Sequence, residues 1–282
     1  MYSMEFNQMK FDSLNDLFLN LLGQVWNNGS EVNSRGSKQK ELLFQSFTLT
    51  NPTALDITSD ARKFSKDYAV SEWMWYLSTN RSAKNIGKLA KIWSRIADEN
   101  GEVESNYGSY FWPQWKWVIN ELVSDNDTRR ATMVVNQPHH KEANVNDYPC
   151  TQYVQFLIRD KKLHMGVNMR SNDIIFGLCN DVFTFCLFQQ MMLNELRLRG
   201  LDIELGEYYH HAGSLHLYEI HFSKAQQILK EDVSQNSAQT FELRGDFCWP
   251  DYQNLKAAFP MKDTSKKELQ ELAKLAAEEL FV

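Results

Sequence analysis

Residues 149–181 read PCTQYVQFLIRDKKLHMGVNMRSNDIIFGLCND. Thr151 to Ile158 and Leu163 to Met169 alternate with period two and are rich in β-formers, and the polar Arg159-Asp160-Lys161-Lys162 lies between them. That pattern predicts a β-hairpin. The periodicity then changes. From Asp181 to Leu198, Val182, Phe183, Cys186, Leu187, Met191 and Leu196 recur at helical spacing with few charges early on, which predicts a helix buried under a sheet. Between hairpin and helix lie Arg170-Ser171-Asn172-Asp173 and Gly177-Leu178-Cys179-Asn180, a polar, glycine-punctuated connection.

Upstream, Ser13-Leu14-Asn15-Asp16 is a capping pattern, and Leu14, Leu17, Phe18, Leu21, Leu22 and Val25 form one helical face. Asn27 to Lys40, with Gly29 and Gly36, reads as a loop or a mobile hairpin carrying Arg35 and Lys38. Leu42 to Leu49 is an expected strand, Ala69 to Leu77 and Ala83 to Ile96 are expected helices, and Asp98-Glu99-Asn100-Gly101 ends the second. Met133 to Asn136 is β-rich. Downstream, Leu215 to Ile220 reads as a strand and His221 to Lys230 as a surface helix. The chain is then polar until Ser265-Lys266-Lys267-Glu268 caps an amphipathic helix bearing Leu269, Leu272, Leu275 and Leu280. A catalytic domain over 1–230 is expected, with a C-terminal extension over 231–282 packed on the same domain. No internal repeat interrupts this order.

The 282 residues, 43% of them hydrophobic, suffice for one large domain with a substantial core. No stretch reaches the roughly 18 to 20 uninterrupted apolar residues of a membrane span. Met1 to Asn15 mixes Glu, Lys and Asp where a signal peptide needs an apolar block, so a cytoplasmic protein with no membrane partner is expected. The net charge of −6 argues against a general nucleic-acid binder, although a local basic cluster can hold a single phosphate. Cys150, Cys179, Cys186 and Cys248 show neither CxxC pairing nor metal-ligand spacing, so no metal site is expected and any important cysteine acts alone as a thiol. Aromatic residues make up 13% of the chain, with several Trp between Ser71 and Trp117, a density that suits a core and also a planar heterocyclic ligand.

Cys150, at a strand start near arginines that can lower its pKa, can supply a thiolate nucleophile. A lone cysteine is as readily a small buried hydrophobe, and composition leaves both open. At these residues, however, the chain resembles the thymidylate synthase family. The resemblance runs in order from Leu14 to Lys230 through Arg129-Arg130, Pro149-Cys150, Arg170-Ser171-Asn172-Asp173, Gly177 with Asp181, and His216-Leu217-Tyr218. Glu72 in Ser-Glu-Trp-Met-Trp resembles the family's catalytic glutamate, and Ile92-Trp93, Ala97 to Gly101 and Asn106-Tyr107-Gly108 resemble its folate-side segment.

The resemblance implies an α+β fold, a large mixed β-sheet flanked by helices, whose exposed face pairs with a twin to form a homodimer with shared active sites. It also implies 5,10-methylenetetrahydrofolate as co-substrate. Cys150 would be the nucleophile, and Glu72 would position water and shuttle protons, its pKa tuned by Trp73 and Trp75. Tyr107 would support Cys150 and the elimination step. Arg170 and Ser171, beside Asn172, would hold the nucleotide 5′-phosphate together with Arg129 and Arg130 from the partner subunit. Arg35 is a further phosphate candidate, with Lys38 competing. His216 and Tyr218 would meet the ribose, while Trp93, Asp173 and Gly177 belong to the folate side.

The departures narrow the expectation. Asp181 stands where the family carries Asn opposite the pyrimidine edge. An amide offers one acceptor and one donor, matching uracil, whereas a carboxylate only accepts. Cytosine with its N3 protonated presents two donors, a bidentate match to Asp181, while the O4 of uracil would be repelled. In this the chain resembles the phage deoxycytidylate hydroxymethylase branch, implying dCMP as substrate and, where a phage encodes it, the host cytoplasm as location. Asp181 could instead cap the helix that follows it. Thr151 also replaces the usual His after the nucleophile, and the synthases' C-terminal closing segment is absent, although Leu280-Phe281-Val282 is apolar enough for a lid. A thymidylate synthase, a dUMP hydroxymethyltransferase and a catalytically silent nucleotide-binding subunit remain the alternatives.

Overall fold

The computed structural model describes residues 9–142, 147–232 and 238–282. The expected hairpin is the strand pair β5 (Thr151–Arg159) and β6 (Lys162–Met169), antiparallel with Arg159 opposite Lys162. Asp160 and Lys161 both take left-handed backbone angles (φ 50° and 57°), as a two-residue turn matched to strand twist requires. A second hairpin occupies Asn27 to Lys40. There β2 (Ser30–Ser34) and β3 (Ser37–Leu49) are closed by Arg35 (φ 49°) and Gly36 (φ 81°).

The remaining strands are β1 (Met9–Phe11), β4 (Thr132–Val134), β7 (Asn172–Asp173) and β8 (Glu204–Tyr218). Together they form a sheet in the order β1-β3-β8-β6-β5-β4, with β2 on β3 and β7 on β8. It is mixed: β8 pairs in parallel with β6 and β7 and antiparallel with β3. β5 buries Val154, Phe156 and Ile158 on one face and turns Tyr153, Gln155 and Leu157 to the other.

Helix α6 (Gly177–Arg197) lies on the buried face, with α1 (Leu14–Asn28) and α2 (Lys66–Leu77) around it. Ser13 caps α1 by accepting from the amide of Asp16. Ala83 to Ile96 is not one helix. The backbone becomes extended at Ala90 (φ −135°), giving α3 (Ala83–Leu89) and α4 (Lys91–Ile96). Helix α5 (Tyr107–Ser124) is absent from the sequence reading because Pro113 interrupts its pattern; Asn106 caps it, and Phe111, Trp115, Val118 and Leu122 bury its inner stripe. Strand β8 begins eleven residues before the expected Leu215, because its first part, Glu204 to Tyr209, carries polar residues on its open face. Short helix α7 (Phe222–Ile228) follows.

The C-terminal residues wrap the same core. Gln190 donates to the carbonyls of Pro52 (2.9 Å) and Phe241 (3.0 Å) and accepts from the amide of Leu243 (2.7 Å). Asn194 donates to the carbonyls of Arg244 and Phe247. Helix α8 (Lys266–Leu280), started by the expected Ser265–Glu268 capping box, packs against α2 and α3. Leu280-Phe281-Val282 is held rather than free: Phe281 bridges Leu243, the amide of Val282 donates to Glu242, and Leu280 is fully buried. Among the described residues, no helix is long and apolar enough to cross a membrane.

Candidate active site

The legs of the β5–β6 hairpin place Cys150 and Arg170 side by side. Thr151 pairs with Met169, so the residues just beyond each leg meet, and the Arg170 amide donates to the Cys150 carbonyl at 2.9 Å. Strand β7 then pairs Asp173 with His216 of β8, and the Ile174 amide donates to the His216 carbonyl. The chain enters α6 at Gly177, where a Cβ would lie 3.3 Å from the Asn172 amide nitrogen and 3.5 Å from an Asp181 oxygen. Glycine therefore lets the first turn of α6 close on β7. Asn172 Nδ2 donates to Asp181 Oδ2 at 2.7 Å across that gap.

Asp181 does not cap α6. The N-cap position is Phe176, with no side-chain cap; Asp173 accepts from the amides of Ile175, Phe176 and Gly177 in the turn before it, and the helix starts four residues earlier than expected. Burial pushes the Asp181 carboxyl up to about 7, partly offset by the Asn172 hydrogen bond and reinforced by the negative charge of Asp173. Among the described residues, Asn172 Oδ1 and His216 Nε2 are buried here with no hydrogen-bond partner. Orphaned polar atoms of this kind fit a polar ligand that supplies the missing bonds. Burial lowers the pKa of His216, and the Tyr218 ring meets its ring edge-on at 4.8 Å.

Cys150 is half-buried. Arg170 and Arg35 do act to lower its pKa as expected, but burial outweighs them and, with Asp181 and Asp147, pushes the thiol up to about 11. Arg170 is partly occupied, donating to the carbonyls of Pro149 (3.2 Å) and Tyr148 (2.6 Å) and lying over the Tyr148 ring. Arg35, at the exposed β2–β3 tip, is close enough for its charge to act on Cys150 and Tyr218. Ser171 stands half-exposed between Arg170 and Asn172. Tyr107 opens α5 and stacks between Tyr76 (5.3 Å) and Phe185 (5.7 Å); burial and the charges of Asp181 and Cys150 hold its phenol neutral.

Glu72 is buried on α2, and burial pushes its carboxyl up to about 8. Trp73 and Trp75, expected to tune it, are core residues. The groups that act on it are Tyr68, which donates to Oε1 at 2.7 Å, and Asp181, whose charge raises the pKa further. Trp93 directs its indole N–H to the Tyr68 oxygen at 2.8 Å and packs on Trp75. The sequence reading missed Tyr68, although its i, i+4 spacing to Glu72 on one helix was a signal. It also missed Asp147, which is buried and accepts from both the amide and the hydroxyl of Ser105.

Arg129 and Arg130 are not brought to this cluster within one chain. They precede β4, exposed, with Arg130 paired to Glu121 and lying over Trp117. The Arg62 guanidinium lies 4.8 Å from the centre of the Phe176 ring, which is exposed and follows Asp173 by three residues. Glu104, His139 and His140 converge as metal-ligating groups do. Glu104 and His140 are, however, already engaged with other groups. His140 Nδ1 accepts from the Gln137 amide, so the ring proton occupies Nε2, the atom facing Glu104 and Tyr110. Glu104 is bound by Arg81 and Tyr110.

The chain is 34% identical over 207 residues to the deoxycytidylate 5-hydroxymethyltransferase of Enterobacteria phage T4, covering 68% of this chain and 80% of that protein. It is 26% identical over 219 residues to the deoxyuridylate hydroxymethyltransferase of Bacillus phage SP01, covering 72% of this chain and 56% of that protein. The fold superposes on thermostable thymidylate synthase A from Bacillus subtilis with a TM-score of 0.67 at 19% identity, covering 82% of this chain and 87% of that one. The family model described as thymidylate synthase matches residues 16–256, which include the thiol, both buried carboxyls and the His216–Tyr218 pair, and the chain belongs to that family.

Proposed function

We propose that this enzyme transfers the one-carbon unit of 5,10-methylenetetrahydrofolate to C5 of dCMP and completes the reaction with water, giving 5-hydroxymethyl-dCMP and tetrahydrofolate. The observation that carries the substrate is Asp181, a carboxyl held by Asn172 at the floor of the Cys150 cluster. As a carboxylate it accepts from both the C4 amino group and a protonated N3, a charge-assisted pair.

In this reading Cys150 loses its proton and its sulfur bonds to C6, while the C5–C6 π pair moves onto C5. C5 bonds to the methylene carbon as that carbon's bond to a folate nitrogen breaks. Loss of the C5 proton then expels tetrahydrofolate and leaves an exocyclic methylene. Water adds to that carbon, the electron pair returns through the ring, and the C6–S bond breaks. Glu72, protonated at neutral pH, shuttles protons at the base. Arg170, Ser171 and Arg35 hold the 5′-phosphate. His216 Nε2 and Tyr218 meet the ribose, Tyr107 supports the thiol, and Asp173, Phe176 and Trp93 line the folate side. The chain works as a homodimer through the open sheet face, which leaves Leu43, Phe44, Val134 and Tyr153 exposed, and Arg129 and Arg130 of the partner subunit complete the phosphate site.

One observation favours a second reading. With its carboxyl raised to about 7, Asp181 when protonated offers one donor and one acceptor, as the family's Asn does, and dUMP becomes the matched substrate. Incubating the purified enzyme with methylenetetrahydrofolate and either nucleotide, and weighing the products, separates the readings. Gain of one formaldehyde mass on dCMP supports the first. The same gain on dUMP supports the second, and a methyl group with dihydrofolate absorbance means a synthase.

A further inference from the structure

Tyr68 and Trp93 form a directed relay that ends on Glu72. An indole N–H can only donate, so Trp93 fills a lone pair of the Tyr68 oxygen at 2.8 Å. The phenol has one proton, and among the described residues the carboxyl oxygen it bonds is Glu72 Oε1, at 2.7 Å. Were Glu72 instead to donate from Oε1, the Tyr68 oxygen would accept twice and its own proton would be buried without an acceptor, a costly arrangement. The polarity therefore runs Trp93 to Tyr68 to Glu72. Tyr68 and Glu72 are one helical turn apart on α2, and Trp93 comes from α4, so two elements fix the geometry.

We infer that Tyr68 is a positioning residue, which by holding Oε1 of Glu72 leaves Oε2 as the oxygen that exchanges protons with the substrate. The inference rests on the proposed reaction only for the identity of that substrate. Besides Tyr68, the groups facing Glu72 are Asp181 of α6, whose charge favours the protonated carboxyl, and the neutral phenol of Tyr76 on its own helix. Tyr68 opposes them by stabilising the carboxylate. Trp93, by donating to the phenol, makes it a stronger donor.

The test titrates the Glu72 carboxyl by infrared difference spectroscopy, with the band assigned by its loss in Glu72→Gln, in parallel with tritium release from C5 of dCMP. In Tyr68→Phe the midpoint is expected to rise by about one pH unit, as loss of a hydrogen bond to a charged group implies. kcat is expected to fall about tenfold with KM for the nucleotide within about threefold. Trp93→Phe should move both readouts the same way by less, and carries the test alone if Tyr68→Phe does not fold. An unmoved midpoint overturns the inference. A moved midpoint with kcat unchanged overturns the proton-exchange role. If the midpoint moves but even the wild type releases no tritium from dCMP, the positioning stands and the assigned reaction fails.

Discussion

In the proposed reaction, Asp181 would carry the choice of base in a single side chain. In Asp181→Asn the two acceptors become one acceptor and one donor, so cytosine's protonated edge loses a bond and meets a buried donor, while uracil's edge becomes complementary. A mismatch of this kind costs on the order of 1–3 kcal/mol, and the ratio of kcat/KM for dCMP over dUMP should fall at least about tenfold. The wild type should show the same trend with pH. Because burial raises this carboxyl to about 7, acidification through that value converts the two-acceptor form into the donor–acceptor form. The ratio should therefore drop between about pH 8 and about pH 6, by up to about tenfold per unit once the carboxyl is mostly protonated. Asp181→Asn, with nothing to titrate there, should stay flat. Cys150→Ser should fold and bind nucleotide yet lose turnover; retention of more than about a tenth of wild-type activity would exclude Cys150 as the nucleophile. Cys150, Glu72 and Asp181 could be singled out from the sequence because each sits in a short motif, and the fold brings them into one cluster whose charges act on one another. Tyr68 stood out less: its i, i+4 spacing to Glu72 was in the sequence, but the Trp93 donor that directs its hydroxyl onto Glu72 comes from another helix.

Helix α5 meets α2 at a point where no side chain fits. A Cβ on Gly108 would lie 1.7 Å from the Tyr76 carbonyl oxygen and 2.5 Å from its carbon, so the two backbones touch there. α2 carries Glu72 and α5 carries Tyr107, and this contact sets the spacing between them. Gly108→Ala must push the helices apart, at a cost of about 3 kcal/mol, seen as a lower urea midpoint with unchanged slope and accompanied by lost activity. An unchanged midpoint would mean the contact is looser than described. Elements with an undisturbed period were legible: the β5–β6 hairpin, α1, and the body of α6. Those that were not each broke their own pattern. Pro113 hid α5, an extended Ala90 divided one apolar stretch into α3 and α4, and a turn bonded by Asp173, not a cap at Asp181, leads into α6. The sequence does hold that turn, since Asp173 precedes Phe176 and Gly177, but the buried period begins only later and draws the boundary with it.

Across the whole molecule, the sheet has one closed face and one open face, and its open face leaves Leu43, Phe44, Val134 and Tyr153 exposed. Pairing that face with a second copy would explain why Arg129 and Arg130 sit apart from Cys150 in their own chain. Mixing subunits that lack both arginines with subunits that carry Cys150→Ser should then restore part of the activity, since one site per mixed dimer keeps every group. No recovery after confirmed subunit exchange would exclude a shared site. The C-terminal residues bear on the other face. Gln190 and Asn194, buried in the helix that carries Asp181, find their partners at residues 241–247, which follow them by 50 to 53 positions. A ribosome adding about 5–20 residues per second leaves those amides waiting for seconds. During that interval Gln190 can reach Pro52, made before it, but Asn194 and the Gln190 oxygen have only water, so the core around this helix is completed last, and a chain cut short of residue 241 would carry every proposed catalytic residue without the contacts that close the core behind them.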